Sequence, residues 1–172
     1  MKKEPKTVIF NTIKIAGAAI LAILLATIFR LDFAVSAGII TILTIQPTKK
    51  ETLQTAVGRF YAFIAALIIA FLSFTLLGYT LPAFMLYLII FIFTCQTFGW
   101  YSSMAMNSVL ISHFLTFGNM SFTTLFNEIL IFTLGVGMGI LANLHLHKNT
   151  DYILALQAYR PRYFHKALLY MC

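Results

Sequence analysis

Two ionisable side chains, His113 and Glu128, lie in stretches of the chain that are otherwise apolar. His113 falls within the apolar run that starts at Tyr101, and Glu128 falls in the first turn of the run that starts at Thr124. Burying such groups without partners costs several kcal/mol, so their presence calls for a reason. A histidine and a carboxylate at similar depth predict a proton-carrying pair, because imidazole exchanges protons near physiological pH. The alternative interpretation is structural: a carboxylate at the positive end of a helix dipole and a hydrogen-bonded core histidine.

Four further polar side chains each lie within a turn or two of the end of a different apolar run, at the end of the predicted bundle away from Glu128. They are Lys14, Gln46, Arg59 and Asn143. Cationic and amide donors grouped in this way attract carboxylates and other anions. These residues therefore predict the anion-selective inner mouth of a pathway. The alternative is that Lys14 and Arg59 extend toward lipid phosphates and only fix the orientation of the helices.

The sequence contains no constellation that is typical of a catalytic or metal site. Cys95 lies inside an apolar run and Cys172 is the last residue, so neither a disulfide framework nor a metal pair is predicted. His145 and His147 are two residues apart, a spacing that points their side chains to different faces of a helix. We therefore expect no enzyme activity, no metal and no cofactor.

The composition indicates that these residues belong to a membrane protein. Only 10% of the 172 residues are charged and 60% are hydrophobic, whereas about 25% of residues are charged in soluble domains. No Asp, Glu, Lys or Arg occurs from residue 60 to residue 127, and each such residue costs roughly 2.5 to 3.5 kcal/mol at the centre of a spanning helix. The net charge of +7 does not indicate a nucleic-acid partner, because most basic residues fall at the ends of apolar runs. The predicted partner is the lipid bilayer.

Six apolar segments predict an all-α bundle of six transmembrane helices. A helix rises about 1.5 Å per residue and needs about 20 residues to cross a hydrocarbon core of ~30 Å. The breaks between segments carry glycine, proline and polar residues. The second segment is the shortest, about 20 Å long as a helix, so it is expected to be tilted, extended or broken inside the bundle. The predicted segments are 12–29, 33–45, 55–77, 81–98, 101–117 and 124–146.

The distribution of basic residues predicts the orientation of this bundle. With six spans, all of the Lys and Arg residues except Arg30 fall on the side of the N-terminus. The positive-inside rule then places both termini in the cytoplasm. Residues 1–148 form the predicted membrane domain, and residues 149–172 form a cytoplasmic tail or the start of a further helical domain.

In two of the predicted helices, residues four positions apart place small or hydroxyl side chains along one face. Gly135 and Gly139 form a small-xxx-small pair, which indicates close helix packing either within the bundle or between subunits. Ser108, Ser112 and Thr116 follow each other at intervals of four residues. Their hydroxyls are expected either to bond to their own helix or to line a pathway.

Two blocks of residues carry a resemblance to a known family. The first is the segment 38–48, GIITILTIQPT, which is followed by a basic loop and Gly58-Arg59. The second consists of Asn127-Glu128, Phe132, Gly135 and Asn143-Leu144. Through these blocks, residues 6–148 resemble the aromatic acid exporter family, part of the fusaric acid resistance superfamily. The resemblance implies a homo-oligomeric bacterial inner-membrane protein that exports aromatic carboxylates or related anions, with a helical cytoplasmic domain after the sixth span.

The leading functional hypothesis is therefore a secondary exporter of small organic anions. Arg59 attracts the substrate carboxylate together with the three other polar residues at its end of the bundle, and the His113/Glu128 pair couples efflux to protons. Two alternatives remain open. One is a passive anion channel, as the resemblance to plant members of the superfamily implies, and the other is a non-transporting structural or regulatory membrane subunit.

Overall fold

The computed structural model describes residues 5–46 and 49–144, and this part of the chain is all-α, as the sequence predicts. The predictions for Pro47, His145, His147 and residues 149–172 fall outside the described residues. A one-turn 3₁₀ helix, Tyr101–Ser103, leads directly into α5. The α-helices are α1 Pro5–Ile28, α2 Val35–Thr44, α3 Lys49–Leu77, α4 Leu81–Phe98, α5 Met104–Phe117 and α6 Phe122–Leu144.

Within the described residues, each of the six predicted segments is helical, and the predicted breaks coincide with the observed turns. α4 has the predicted bounds, and α3 begins before the predicted residue 55 because its first two turns continue into the basic segment. Gly99 ends α4 with a φ of 73°, and its N–H donates to the carbonyl of Gln96. The left-handed conformation at this position favours glycine and closes the helix.

Four of the helices are long and apolar enough to cross a membrane. α2 has 10 residues and α5 has 14, so at the usual rise they measure about 15 Å and about 21 Å. The number of six crossings and the cytoplasmic side of both termini therefore stay predictions. The four candidate spans are Asn11–Ile28, Lys50–Leu77, Leu81–Phe98 and Phe122–Asn143.

The bundle carries its apolar side chains outward and many of its polar side chains inward. Leu76, Phe93 and Phe122 are among the most exposed large hydrophobic residues, as expected for surfaces that face lipid. α2 packs against α1 and α6, while α5 contacts α2, α3, α4 and α6. The two short helices therefore lie against several longer ones, and both contribute polar residues to the interior.

The contact between α2 and α6 depends on two glycines. A Cβ atom at Gly135 would lie 2.6 Å from Cβ of Ile40, and one at Gly139 would lie 2.5 Å from Cβ of Thr44. A Cβ at the intervening Gly137 would meet no atom within 4 Å. The small-xxx-small pair thus packs within the bundle, and it no longer supports an interface between subunits.

We expect Gly135→Ala and Gly139→Ala each to lower the free energy of unfolding by about 1 to 3 kcal/mol, because an added methyl group overpacks this interface. Gly137→Ala is the matched control on the same helix, and its stability should stay at or above that of the wild type, since alanine is the better helix former. Thermal unfolding in detergent measures the difference. Equal stability of all three variants would contradict the close approach of α2 and α6.

Candidate functional site

The structure brings the two ionisable residues of the apolar segments into direct contact. His113 on α5 and Glu128 on α6 are joined by a hydrogen bond of 2.8 Å between Nδ1 and Oε2. Their side chains are deeply buried: His113 is 6% exposed and Glu128 is 0% exposed. The two residues therefore form one unit that can share a proton, although their role in coupling stays a prediction.

Two neighbours occupy the remaining polar atoms of this pair. Ser36 Oγ lies 3.2 Å from Nε2 of His113. Asn127 donates from Nδ2 to Oε1 of Glu128 over 3.1 Å. Both ring nitrogens and both carboxylate oxygens consequently have hydrogen-bond partners, which is what allows an ionisable pair to be buried at moderate cost.

The loop between α1 and α2 is attached to the same pair. Asn127 Oδ1 accepts a hydrogen bond of 2.9 Å from the backbone N–H of Asp32. Phe33 stacks on the ring of His113 with a centroid distance of 4.1 Å. Phe33 has a φ of 56°, a conformation that costs a non-glycine residue about 1 to 3 kcal/mol and needs such support. Hydrogen bonds and ring stacking thus connect the His113/Glu128 pair to the loop that precedes α2.

Arg59 on α3 lies at the other end of α2 and is buried, with 1% exposure. Its Nη1 donates to Thr44 Oγ1 over 2.8 Å and to Met106 Sδ over 3.6 Å. Its Nη2 donates to the carbonyls of Leu43 over 2.6 Å and of Ser102 over 3.3 Å. Nε has no partner within residues 5–46 and 49–144. Four of the five N–H groups of the guanidinium are therefore used, and one is left.

All four of these acceptors are neutral. The ion pair of the described residues is the one between His113 and Glu128, so no described carboxylate balances the charge of Arg59. The carbonyl of Leu43 lies in the last turn of α2, where the negative end of the helix dipole compensates a cation in part. A buried cation without a full counter-charge is costly. It is also well suited to bind an anion that arrives from outside the protein.

Two other residues of the predicted inner mouth join Arg59 through the end of α2. Gln46 Nε2 donates to the carbonyl of Leu43 over 3.3 Å, the same carbonyl that Arg59 binds. Asn143 Nδ2 donates to the backbone carbonyl of Gln46 over 3.0 Å and also to Thr52 Oγ1. The structure thus brings Gln46, Arg59 and Asn143 into one network, and their role in binding stays a prediction.

Lys14 is the fourth residue of the predicted mouth, and the described hydrogen bonds of the network do not include it. Its half-buried side chain lies on α1, which packs against α2 and α6. The structure therefore places Lys14 on a helix that packs against the helix whose end Arg59 contacts.

The candidate proton site and the candidate anion site lie at opposite ends of the two short helices. On α2, Ser36 contacts His113 and Thr44 contacts Arg59, and the two are about 12 Å apart along the helix axis. On α5, Met106 contacts Arg59, and about 10 Å of helix separates it from His113. A movement of either short helix would therefore act on both sites.

Sequence reasoning missed the partners that complete these two sites. Asn127 could have been predicted as a partner, because it directly precedes Glu128 in the chain. Nothing in the local sequence indicates that Ser36 would contact a histidine 77 positions away. The hydroxyls of Ser112 and Thr116 donate to carbonyls of their own helix. For these two residues the structure supports backbone bonding rather than a pathway.

Comparison with known proteins shows the family of this chain. A family model described as "Aromatic acid exporter family member 1" matches residues 7–146. The uncharacterised protein YqjA of Bacillus subtilis (strain 168) is 36% identical over 137 residues, which cover 80% of this chain and 42% of that protein. The chain thus spans less than half the length of this curated relative, and no solved structure matches it. Four apolar helices and this match identify a multi-pass membrane protein, and the chain belongs to the aromatic acid exporter family.

Proposed function

We propose that this chain is a membrane transport domain that exports small organic anions, in particular aromatic carboxylates, and that protons drive the export. The observation that carries the proposal is the buried guanidinium of Arg59, whose described acceptors are all neutral. Membership of a family of exporters rather than of enzymes supports transport as the activity.

The anion is proposed to bind from the cytoplasmic side at the network of Arg59, Gln46 and Asn143. In the low dielectric of the bundle an uncompensated positive charge attracts an anion far more strongly than it does in water. Lys14 on α1 adds a second positive charge on the approach to this site. The rest of an aromatic substrate can contact the apolar side chains of the interior.

The proton is proposed to bind at the His113/Glu128 pair, at the far end of α2 and α5. A change in the protonation of the pair alters its bonds to Ser36 and Asn127, and hence the position of α2 and of the loop that contains Asp32. Because the other end of α2 holds Arg59, the same movement can release the anion. Proton uptake and anion release are thereby coupled without a shared binding site.

Six crossings, with both termini in the cytoplasm of a bacterial cell, complete the proposal. The basic residues support this orientation, since only Arg30 falls on the outer side. α2 and α5 can serve as short crossings in a locally thinned bilayer. Assembly as a homo-oligomer is proposed from the family alone.

Flux measurements with the purified chain in proteoliposomes test this function. Benzenesulfonate is a suitable probe, because it stays ionised and does not leak through lipid as a neutral acid. We expect saturable benzenesulfonate flux that unlabelled benzoate inhibits and that benzamide, its uncharged analogue, does not. Absence of flux above that of empty liposomes would contradict autonomous transport and favour a structural or regulatory subunit.

A passive anion channel is the second candidate, because the His113/Glu128 pair is fully hydrogen-bonded, as a purely structural pair would be. The two modes differ in their driving force. Flux that follows the membrane potential and ignores a pH gradient identifies a channel, whereas stimulation by a pH gradient identifies the exporter.

A further inference from the structure

Three buried side chains at one end of α5 carry polar atoms that have no hydrogen-bond partner in the described part of the chain. These atoms are Nε of Arg59, Oγ of Ser103, and both Oδ1 and Nδ2 of Asn107. Arg59 and Ser103 are each 1% exposed, and Asn107 is 0% exposed. Each of these atoms is therefore shielded from solvent and has no partner among the described residues.

The three side chains belong to one place in the fold. The guanidinium of Arg59 contacts Ser102 and Met106, which directly precede Ser103 and Asn107 in the chain. Ser103 and Asn107 are four residues apart where the 3₁₀ helix passes into α5, so their side chains lie on the same face. Arg59 thus contacts the residue immediately before each of them.

Packing alone does not explain these groups. A buried polar group without a partner costs about 1 to 3 kcal/mol, and native interiors contain few of them. Ser103 is also the residue before the first turn of α5, where a serine hydroxyl usually caps the helix. Here it makes no such cap, so its hydroxyl forms a hydrogen bond neither with the helix nor with another described residue. Two such side chains close to a buried cation, whose own Nε is also unpartnered, indicate a place where a ligand binds.

We propose that Ser103 and Asn107 complete an occluded carboxylate-binding site with Arg59. The carboxylate oxygens accept hydrogen bonds from Nε–H of Arg59, the hydroxyl of Ser103 and Nδ2–H of Asn107. The ligand class is an organic carboxylate, since one cationic and two neutral donors match a single negative charge. The inference rests on the proposed transport function and assigns its substrate site to two residues outside the predicted inner mouth.

This site lies on the way from the inner mouth to the proton pair. Asn107 precedes His113 on the buried face of α5, at a distance of about 9 Å along the helix. A carboxylate held by Arg59, Ser103 and Asn107 would therefore have left the network of Gln46 and Asn143 on its route toward the proton site.

Binding of radiolabelled benzoate to the 172-residue chain in lipid nanodiscs tests the inference. We expect Ser103→Ala and Asn107→Leu each to weaken benzoate binding by about tenfold or more, because a hydrogen bond to a charged group is lost. Ser112→Ala is the matched control, since this hydroxyl is on the same helix and donates to the carbonyl of Val109. Its benzoate affinity should equal that of the wild type.

Thermal unfolding of the same variants separates binding from structure. Leucine at position 107 replaces an unpartnered amide with an apolar group of similar size, so its melting temperature should be equal to or higher than that of the wild type. Weaker benzoate binding together with retained stability supports the site. Unchanged benzoate binding in both variants overturns it, as does a wild-type chain that binds no benzoate.

The outcomes also distinguish this inference from the proposed function. If benzoate binding depends on Ser103 and Asn107 but proteoliposomes show no flux, the site is supported and transport by this chain alone is rejected. If flux is observed and depends on Arg59 while Ser103→Ala and Asn107→Leu bind benzoate normally, the function is supported and the site is rejected.

Discussion

Replacing Arg59 with glutamine is expected to lower anion flux by about thirtyfold or more, because losing one partner of a buried charged contact costs about 2 to 5 kcal/mol. Glutamine keeps hydrogen-bonding capacity but removes the positive charge. Arg59→Lys keeps the charge but loses the planar guanidinium, so its flux should lie between that of the wild type and that of Arg59→Gln. Benzenesulfonate flux into proteoliposomes, driven by an imposed gradient and normalised to the amount of folded protein, measures the effect.

The control for this experiment is Arg30→Gln. Arg30 has an exposed side chain in the turn after α1, so the same substitution there should leave flux close to that of the wild type. Arg59 also holds the end of α2 through Leu43 and Thr44, and thermal unfolding must show that the glutamine variant is folded. Wild-type flux in a folded Arg59→Gln variant would remove this arginine from the mechanism.

Glu128→Gln is expected to abolish the stimulation of anion flux by a pH gradient. The amide has the shape of the carboxylate and can keep hydrogen bonds to His113 and Asn127, but it cannot take up a proton. Anion exchange without a pH gradient should survive, since Arg59 contacts the opposite end of α2 from the one that contacts the His113/Glu128 pair. Benzenesulfonate flux with and without a pH gradient, in the same proteoliposomes, measures the coupling.

Glu51→Gln provides the matched control for the coupling experiment. Glu51 is an exposed carboxylate in the first turn of α3, so its replacement should leave the stimulation by the pH gradient intact. If Glu128→Gln keeps this stimulation as well, the pair with His113 is a structural contact, and the passive channel becomes the better explanation.

The helices could be predicted because their boundaries depend on local chemistry. Apolar runs end where Gly78, Gly99 and Gly118 adopt positive φ values, and Pro82 lies in the first turn of α4. The pairing of His113 with Glu128 could also be anticipated, since isolated ionisable groups in apolar segments need partners. Both inferences require only the types of the residues and their distance along the chain.

The environment of Arg59 could not be predicted in the same way. Its acceptors include the backbone carbonyls of Leu43 and Ser102, and a backbone carbonyl carries no residue-specific signal in a sequence. Its burial depends on the packing of α2 and α5 against α3, which are long-range contacts. For the same reason the sequence indicated only a position at the inner mouth for Arg59, whereas the structure shows a guanidinium that is buried with four contacts.

In the proposed mechanism Arg59 forms the anion site, and Glu128 serves only proton coupling. Exchange of radiolabelled for unlabelled benzenesulfonate, at equal pH on both sides of the membrane, tests this claim most directly because it requires anion binding but no net proton movement. We expect exchange in the wild type and in Glu128→Gln, and almost none in Arg59→Gln. Exchange in Arg59→Gln at the wild-type rate would contradict the account.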